Sequence, residues 1–365
     1  MRSFSSDSPA PNAVIVEPSS PLSSAQAPTA SLLLFAYNHE AFIEEALRSA
    51  LRQDLDDYEL VIVDDASTDG TRAKIEAILA AGGHVGRRIK TIFHDRNQGV
   101  LAAVNAAMAQ ASGDVFVMMA GDDISLPDRL RRTLRIFAEA PEVQLVYGEV
   151  AFIDERGDPL RPLPTGGMAQ RFAYARARFG RIYAEASPCG ASAAYRRRLY
   201  DVFGPMGAGP HGEDNCYWVR ALLLGEVHHD PACFIQWRQH SANLSNYQPS
   251  AGDDWRPRHL DWMEKHAGMS AQWLRDIVVA RSLGLISVWR AAVVRYAAMR
   301  EDATWSLEVA SLRADPWGRW LRSAGKLLQV GRFSTTFRML KLRLFRSRRE
   351  KRWQVLAKLK SNSTV

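Results

Sequence analysis

Residues 31–65 read SLLLFAYNHEAFIEEALRSALRQDLDDYELVIVDD, and two apolar runs within this stretch decide the fold. SLLLFA (31–36) and YELVIV (58–63) are continuous rather than alternating, the pattern of strands covered on both faces. Between them Phe42, Ala46, Leu47 and Ala50 recur at helical spacing, which predicts a helix over 41–51. The same rhythm continues outward. Residues 71–79 read as a helix after the turn-forming Ser67-Thr68-Asp69-Gly70, 89–93 as a third strand, and 100–111 as an Ala-rich helix. Residues 115–119 form a fourth strand that runs into Gly121-Asp122-Asp123. A β-α-β-α-β-α-β order implies an α/β fold, with a Rossmann-like, mostly parallel sheet flanked by helices.

Beyond this core the pattern loosens. Strands are expected at 144–152 and 233–237, a connecting loop and helix at 153–186, a short apolar run at 191–195, and a helix at 215–224 that Gly225 ends. From about 254 onward the reading is helical. Residues 1–30, rich in Ser, Pro and Ala, read as a disordered leader without the apolar core of a signal peptide. One domain is expected over 31–250, divided into 31–147 and 148–250, followed by a basic helical extension over 251–365.

Composition narrows the function. Apolar residues are 47% and charged residues 24% of the chain, which fits a soluble globular protein. No run of about 18 apolar residues offers a membrane-spanning helix. Cys189, Cys216 and Cys233 show neither metal-type spacing nor a disulfide framework, as expected in a reducing compartment. The net charge of +7 is unevenly spread: residues 313–360 hold 15 Lys/Arg and 2 acids, a net of +13, which leaves the rest at −6. Within this tail, Trp317, Trp320, Leu321, Leu327 and Leu328 can share one helix face, a composition suited to an anionic membrane surface. The alternative is a helix packed on the domain with its charges solvated. Nucleic acid would also attract this charge, but no recognition motif supports it as a partner.

Ligands in an open α/β sheet bind beyond the carboxyl ends of the strands. Here those ends carry Tyr37-Asn38, Asp64-Asp65 and Gly121-Asp122-Asp123. An aromatic ring can stack on a base, a carboxylate can accept from base N–H or ribose hydroxyls, and a carboxylate can hold a divalent cation that neutralises a diphosphate. Ordinary alternatives exist: Asp64-Asp65 as a turn or cap, one of Asp122-Asp123 as an N-cap, Tyr37 as packing. His228-His229-Asp230 resembles a metal set, but adjacent His side chains diverge on extended backbone.

Two segments carry a family resemblance. AYNHEAFIEEALRSALRQDLDDYELVIVDDASTDGT, followed by NQGVLAAVNAAMAQASGDVFVMMAGDDISLPDRL, resembles the nucleotide-binding half of family 2 glycosyltransferases, which have the GT-A fold. The likeness covers about 31–147 and continues more weakly to about 246. It implies that Tyr37 stacks on the donor base, with Asn38 beside it, and that Asp65 binds the base. Asn97, Gly99 and Asn105 match further donor-side positions, and Asp122, with Asp123 next to it, holds Mg²⁺ or Mn²⁺ on the diphosphate. One departure stands out: the family's leading acid is Ala120 here. The segment after Gly99 also lacks the basic residue that some relatives aim at the diphosphate.

The second half extends the likeness. HGEDNCYWVRALLLG resembles the family's Glu-Asp motif at a helix start, which makes Asp214 the catalytic base and Glu213 its neighbour on the acceptor side. Capping of the helix is the ordinary reading of Asp214. The Arg-x-His-x-x-Asn stretch matches Arg238, His240 and Asn243, implying phosphate contact for Arg238 and metal or diphosphate contact for His240. Cys189 and Gly190 stand where family members shape the acceptor pocket. The resemblance therefore implies inverting transfer of a sugar from a UDP-, GDP- or TDP-sugar to a saccharide or lipid-linked saccharide, in surface-glycan or glycolipid assembly at the cytoplasmic side of a membrane. Two other readings remain. A nucleotidyltransferase also uses metal-bound aspartates, but usually has a Gly-rich basic loop where this chain has AYNHEAF. A non-catalytic membrane-attached scaffold would explain Ala120.

Overall fold

The computed structural model describes residues 14–16, 29–82, 87–160, 190–207, 209–210, 212–243 and 256–312, with scattered helical positions from 318 to 328. Strands β2 (Ala30–Ala36) and β3 (Tyr58–Asp64) are buried almost throughout, which is why their sequences show no alternation. Their side chains still split with period two. Leu33, Val61 and Val63 enter one core, with Ala103, Val104 and Met108 of α3 (Val100–Gln110). Leu32, Leu34, Leu60 and Ile62 enter the other, with Ala46, Leu47 and Ala50 of α1 (Ile43–Leu51). The inward residue at the start of α1 is Ile43; Phe42 precedes the helix and is turned to another use described below.

Helix α2 (Thr71–Ala80) leads to β4 (Arg88–Phe93), and α3 leads to β5 (Val115–Ala120). Strands β4, β3, β2 and β5 lie side by side and parallel, as the sequence implies. The remaining strands make the sheet mixed. The short β1 (Val14–Val16), inside the segment read as a leader, pairs antiparallel with β4. On the other side come β8 (Ala193–Arg196), antiparallel to β5, then β7 (Val143–Ile153) and β9 (Glu226–Arg238), with β6 (Ile124–Ser125) at the edge. Strand β9 begins seven residues before the expected Cys233. Its early residues are half-exposed and interrupted by register shifts against β7, so no apolar run announced them.

Helix α4 (Arg129–Glu139) precedes β7; α5 (Arg198–Phe203) and α6 (Glu213–Leu224) follow β8. The C-terminal extension contributes α7 (Arg256–Ser282) and α8 (Val288–Leu312). Met269, Trp273, Ile277 and Ala280 of α7 join the same core as Tyr217 and Val219 of α6. A fully buried ion pair, Arg220 Nε to Asp276 Oδ2 at 2.9 Å, links the two helices. Among the described residues no helix is long and apolar enough to cross a membrane.

Candidate active site

Backbone register places three strand ends at one level. Ala36 pairs with Asp64, and Phe35 pairs with Ala120. The crossings continue past the strands: Asp65 N donates to Ala36 O at 2.9 Å, and Gly121 N donates to Phe35 O at 2.7 Å. A Cβ at position 121 would lie 2.9 Å from both Phe35 O and His39 Nδ1, so the turn into the acidic pair needs glycine. Tyr37, Asp65 and Asp122 thus stand along one carboxyl edge, the place where open α/β sheets bind ligands.

Tyr37 is 41% exposed there. Asn38 lies next to it in the left-handed region, φ 54°. Its N–H donates to Ser67 Oγ at 2.9 Å and its Oδ1 accepts from Thr68 N at 2.8 Å. Asn38 therefore staples the loop after β2 to the loop after β3. Asp64 shapes the second loop by accepting from Ser67 N and Oγ. Asp65 is buried and reaches across to 94–99: its Oδ1 accepts from Gln98 N at 2.9 Å and lies 2.7 Å from His94 Nδ1, while Oδ2 accepts from Gly99 N at 2.7 Å. Gly99, at φ 86°, starts α3 in a conformation that favours glycine. Asn97 is exposed on this loop. Asn105 faces away from it: its amide brackets Met206, donating to Met206 O at 2.8 Å and accepting from Met206 N at 3.0 Å.

Asp122 and Asp123 are both buried, yet their surroundings separate them. Asp122 Oδ2 lies 3.0 Å from His240 Nε2 and 3.8 Å from His39 Nε2. Burial pushes its carboxyl up, but the His240 bond and the two imidazoles outweigh this and hold it below the usual carboxylate range. Asp123 Oδ1 accepts the Arg238 backbone N–H at 3.0 Å, and Oδ2 is buried with no hydrogen-bond partner among the described residues. Burial, then the neighbouring Asp122 charge, raises the Asp123 carboxyl well above its usual range. His39 was passed over in the sequence. Its signal was its place two residues after Tyr37, at the same strand end.

The Arg-x-His-x-x-Asn stretch closes on itself. Asn243 Oδ1 accepts from His240 N at 2.5 Å and Asn243 Nδ2 donates to Arg238 O at 2.8 Å. The His240 ring packs on Phe42, with centroids 4.6 Å apart. Arg238, expected at phosphate, is engaged within the protein. It is buried, and its guanidinium donates to Asp122 O, Asp154 O, Glu155 O and Glu45 Oε2, at 3.0, 3.2, 3.1 and 2.5 Å. With its donors so engaged, it braces the acidic turn. His228-His229-Asp230 also disperses: His229 pairs with Glu149 at 2.8 Å and Asp230 with Arg132 at 3.0 Å.

Across the edge stands the start of α6. Arg129 Nη2 donates to Met118 O at 2.7 Å and Ala191 O at 2.8 Å, which fixes the 190–192 turn beside the end of β5. Gly190 abuts Glu213: a Cβ there would lie 2.6 Å from Glu213 Oε1 and 3.4 Å from Asp214 Cβ. Glu213 is buried, and burial first, then the Asp214 charge, pushes its carboxyl up to about 8. Asp214 is half-buried in the first turn of α6, and its Oδ1 accepts from Asn215 N at 2.7 Å. The N-cap position is Gly212, not Asp214. Cys189 lies outside the described residues.

Among the described residues, no three His, Cys, Asp or Glu side chains form a ready-made metal cluster. An ionised Asp122 oxygen beside an imidazole nitrogen does fit a cation that takes its other ligands from a diphosphate and water. Asp123, its carboxyl raised by burial and by the Asp122 charge and bonded to Arg238 N, is the weaker donor.

Residues 31–204 match the family model described as Glycosyl transferase family 2. EpsE of Bacillus subtilis is 35% identical over 130 residues, 36% of this chain and 46% of that protein. The succinoglycan biosynthesis protein ExoO of Rhizobium meliloti is 33% identical over 143 residues, 39% of each chain. The chain thus spans about half the length, or less, of these curated relatives. S. aureus TarS 1-349 shares the fold with a TM-score of 0.55 at 18% identity, over 83% of this chain and 80% of that one. The same protein in complex with UDP gives 0.50 at 17% identity, over 83% and 89%.

Proposed function

We propose, from the match of residues 31–204 to the family model described as Glycosyl transferase family 2, that this chain transfers a sugar from a nucleoside diphosphate sugar to an acceptor hydroxyl, with inversion at the anomeric carbon. The observation that carries the reading is Asp122, its carboxyl held low beside His240 at the shared edge of β2, β3 and β5, with the Glu213-Asp214 helix start against Gly190 of the turn beside β5.

Tyr37 offers an open face for the base. Asp65 fixes the loop beneath it; three donors of its own chain leave one of about four lone-pair positions for a base or ribose donor. Asp122 and His240 are the residues that would hold Mg²⁺ or Mn²⁺, which when bound supplies positive charge to the leaving diphosphate. Asp214 takes the proton of the acceptor hydroxyl. The oxygen of that hydroxyl bonds to the anomeric carbon as the bond to the diphosphate breaks on the opposite face. Glu213, neutral at pH 7, adds no second negative charge beside Asp214 and can donate to an acceptor oxygen.

The UDP of the TarS complex supports a UDP-type donor, and the succinoglycan biosynthesis in the name of ExoO supports surface-glycan assembly, for which a saccharide or lipid-linked saccharide is the proposed acceptor. A cytoplasmic site fits the free thiols of Cys216 and Cys233. The membrane contact expected of 313–360 falls almost entirely outside the described residues. The test is Asp214→Asn. Donor binding should survive, while transfer falls by on the order of 10²–10⁴-fold. Transfer at the wild-type rate would remove Asp214 from its role, and donor turnover unaffected by Mn²⁺ or chelator would remove the cation.

A further inference from the structure

The α7–α8 hairpin has two unlike faces. Inward, Trp273, Ile277, Ala280, Ile286, Val294 and Ala298 share the core of α6, and Arg290 Nη2 donates to Leu222 O. Outward and at the turn, Val278, Leu283, Trp289, Val293, Tyr296 and Met299 are exposed, Trp289 by 83%. Positions 289, 293 and 296 follow i, i+4, i+7 and so form one stripe along α8. A cluster of large apolar side chains left in water marks a surface that meets something.

Charge identifies the partner. From 278 to 300 the chain holds Arg281, Arg290, Arg295 and Arg300 and no Asp or Glu; acids return at Glu301 and Asp302. Arg281 and Arg295 are exposed beside the apolar stripe. Indole at a headgroup boundary, aliphatic groups beneath it and arginines reaching phosphate is the chemistry of an anionic bilayer surface. A second copy of the chain fits less well, since a two-fold contact would set these arginines against their own kind.

We propose that the turn and outer stripe of this hairpin, residues 278–299, dock on an anionic lipid bilayer, with Trp289 at the interface. This surface precedes the basic segment 313–360 in sequence, and its docking does not depend on sugar transfer. Because α7 packs on α6, the contact would hold the acceptor side of the edge near lipid.

The full chain is tested by flotation with vesicles of equimolar phosphatidylcholine and phosphatidylglycerol, and with phosphatidylcholine alone. Binding is expected only with the anionic lipid. The triple variant Leu283→Ser, Trp289→Ser, Val293→Ser should lower partition by about tenfold or more, with an unchanged melting temperature. A second measurement isolates this surface from the tail: brominated lipid should quench wild-type tryptophan fluorescence more than that of Trp289→Phe. The proposal fails if wild type ignores anionic vesicles, if the triple variant binds as wild type does, or if Trp289→Phe leaves quenching unchanged. It also fails if vesicle-free wild type is a dimer that the triple variant converts to monomer.

Discussion

Glu213→Gln isolates the protonation state of the buried carboxyl beside Asp214. Glu213 is buried against Gly190 and beside Asp214, and its carboxyl is pushed up from 4.5 to about 8. The folded protein therefore keeps a proton that the unfolded chain releases above pH 4.5. Between about pH 4.5 and about 8 the native state binds more protons than the unfolded state, so stability falls as pH rises through that window. At about 1.4 kcal/mol per pH unit the whole span amounts to at most about 5 kcal/mol. Local relaxation around the half-buried Asp214 would bring the observed figure to about 2–4 kcal/mol. Glutamine has nearly the same shape, carries no ionisable proton and can still donate. The variant should match wild type near pH 5 and exceed it at pH 9 by that margin. Urea unfolding at the two pH values, read by tryptophan fluorescence and far-UV circular dichroism, measures the difference. An offset that is the same at pH 5 and pH 9 would refute the reasoning, because it would mean that Glu213 is ionised throughout.

Two further perturbations probe the frame around the site. Arg220→Met leaves Asp276 buried without its guanidinium and Gly204 O without a donor. That should cost about 3–5 kcal/mol and lower the melting temperature by on the order of 10 °C, and a shift within error would show that the pair is solvated. Gly121→Ala sets a Cβ 2.9 Å from the Phe35 carbonyl, which cannot yield without moving β2. It should weaken UDP binding in calorimetry by about tenfold, from about 1–3 kcal/mol of overpacking, while circular dichroism stays as in wild type.

Much of this frame was legible because burial on both faces leaves a continuous apolar run that a single sequence displays. β2, β3 and β5 are such runs, and the residues that end them mark the candidate edge directly. Strand β9 was legible only in its second half, since 226–232 are half-exposed or polar and owe their extension to pairing with β7. Side-chain partners were less legible than side-chain types. Arg238 has the chemistry of a phosphate ligand, but its use is set by Glu45, Asp122 and residues 154–155, brought together from far along the chain. Asn105 likewise looks like a donor-side polar group until Met206 closes on both ends of its amide. Asp65, by contrast, stays at the edge that its strand end implied, with most of its acceptor capacity committed to 94–99.

Both acidic pairs of the site are treated alike, which bears on the missing acid at Ala120. Asp122-Asp123 and Glu213-Asp214 are each adjacent in sequence, and in each the more deeply enclosed member has its carboxyl raised. Four carboxyl groups therefore do not present four negative charges. Such a total would repel a diphosphate unless several cations offset it. With the Asp123 and Glu213 carboxyls both raised, Asp122, held low beside His240, is the most readily ionised of the three. With alanine at position 120, the pairing of Asp122 with His240 is thus the feature that sets what the edge can hold.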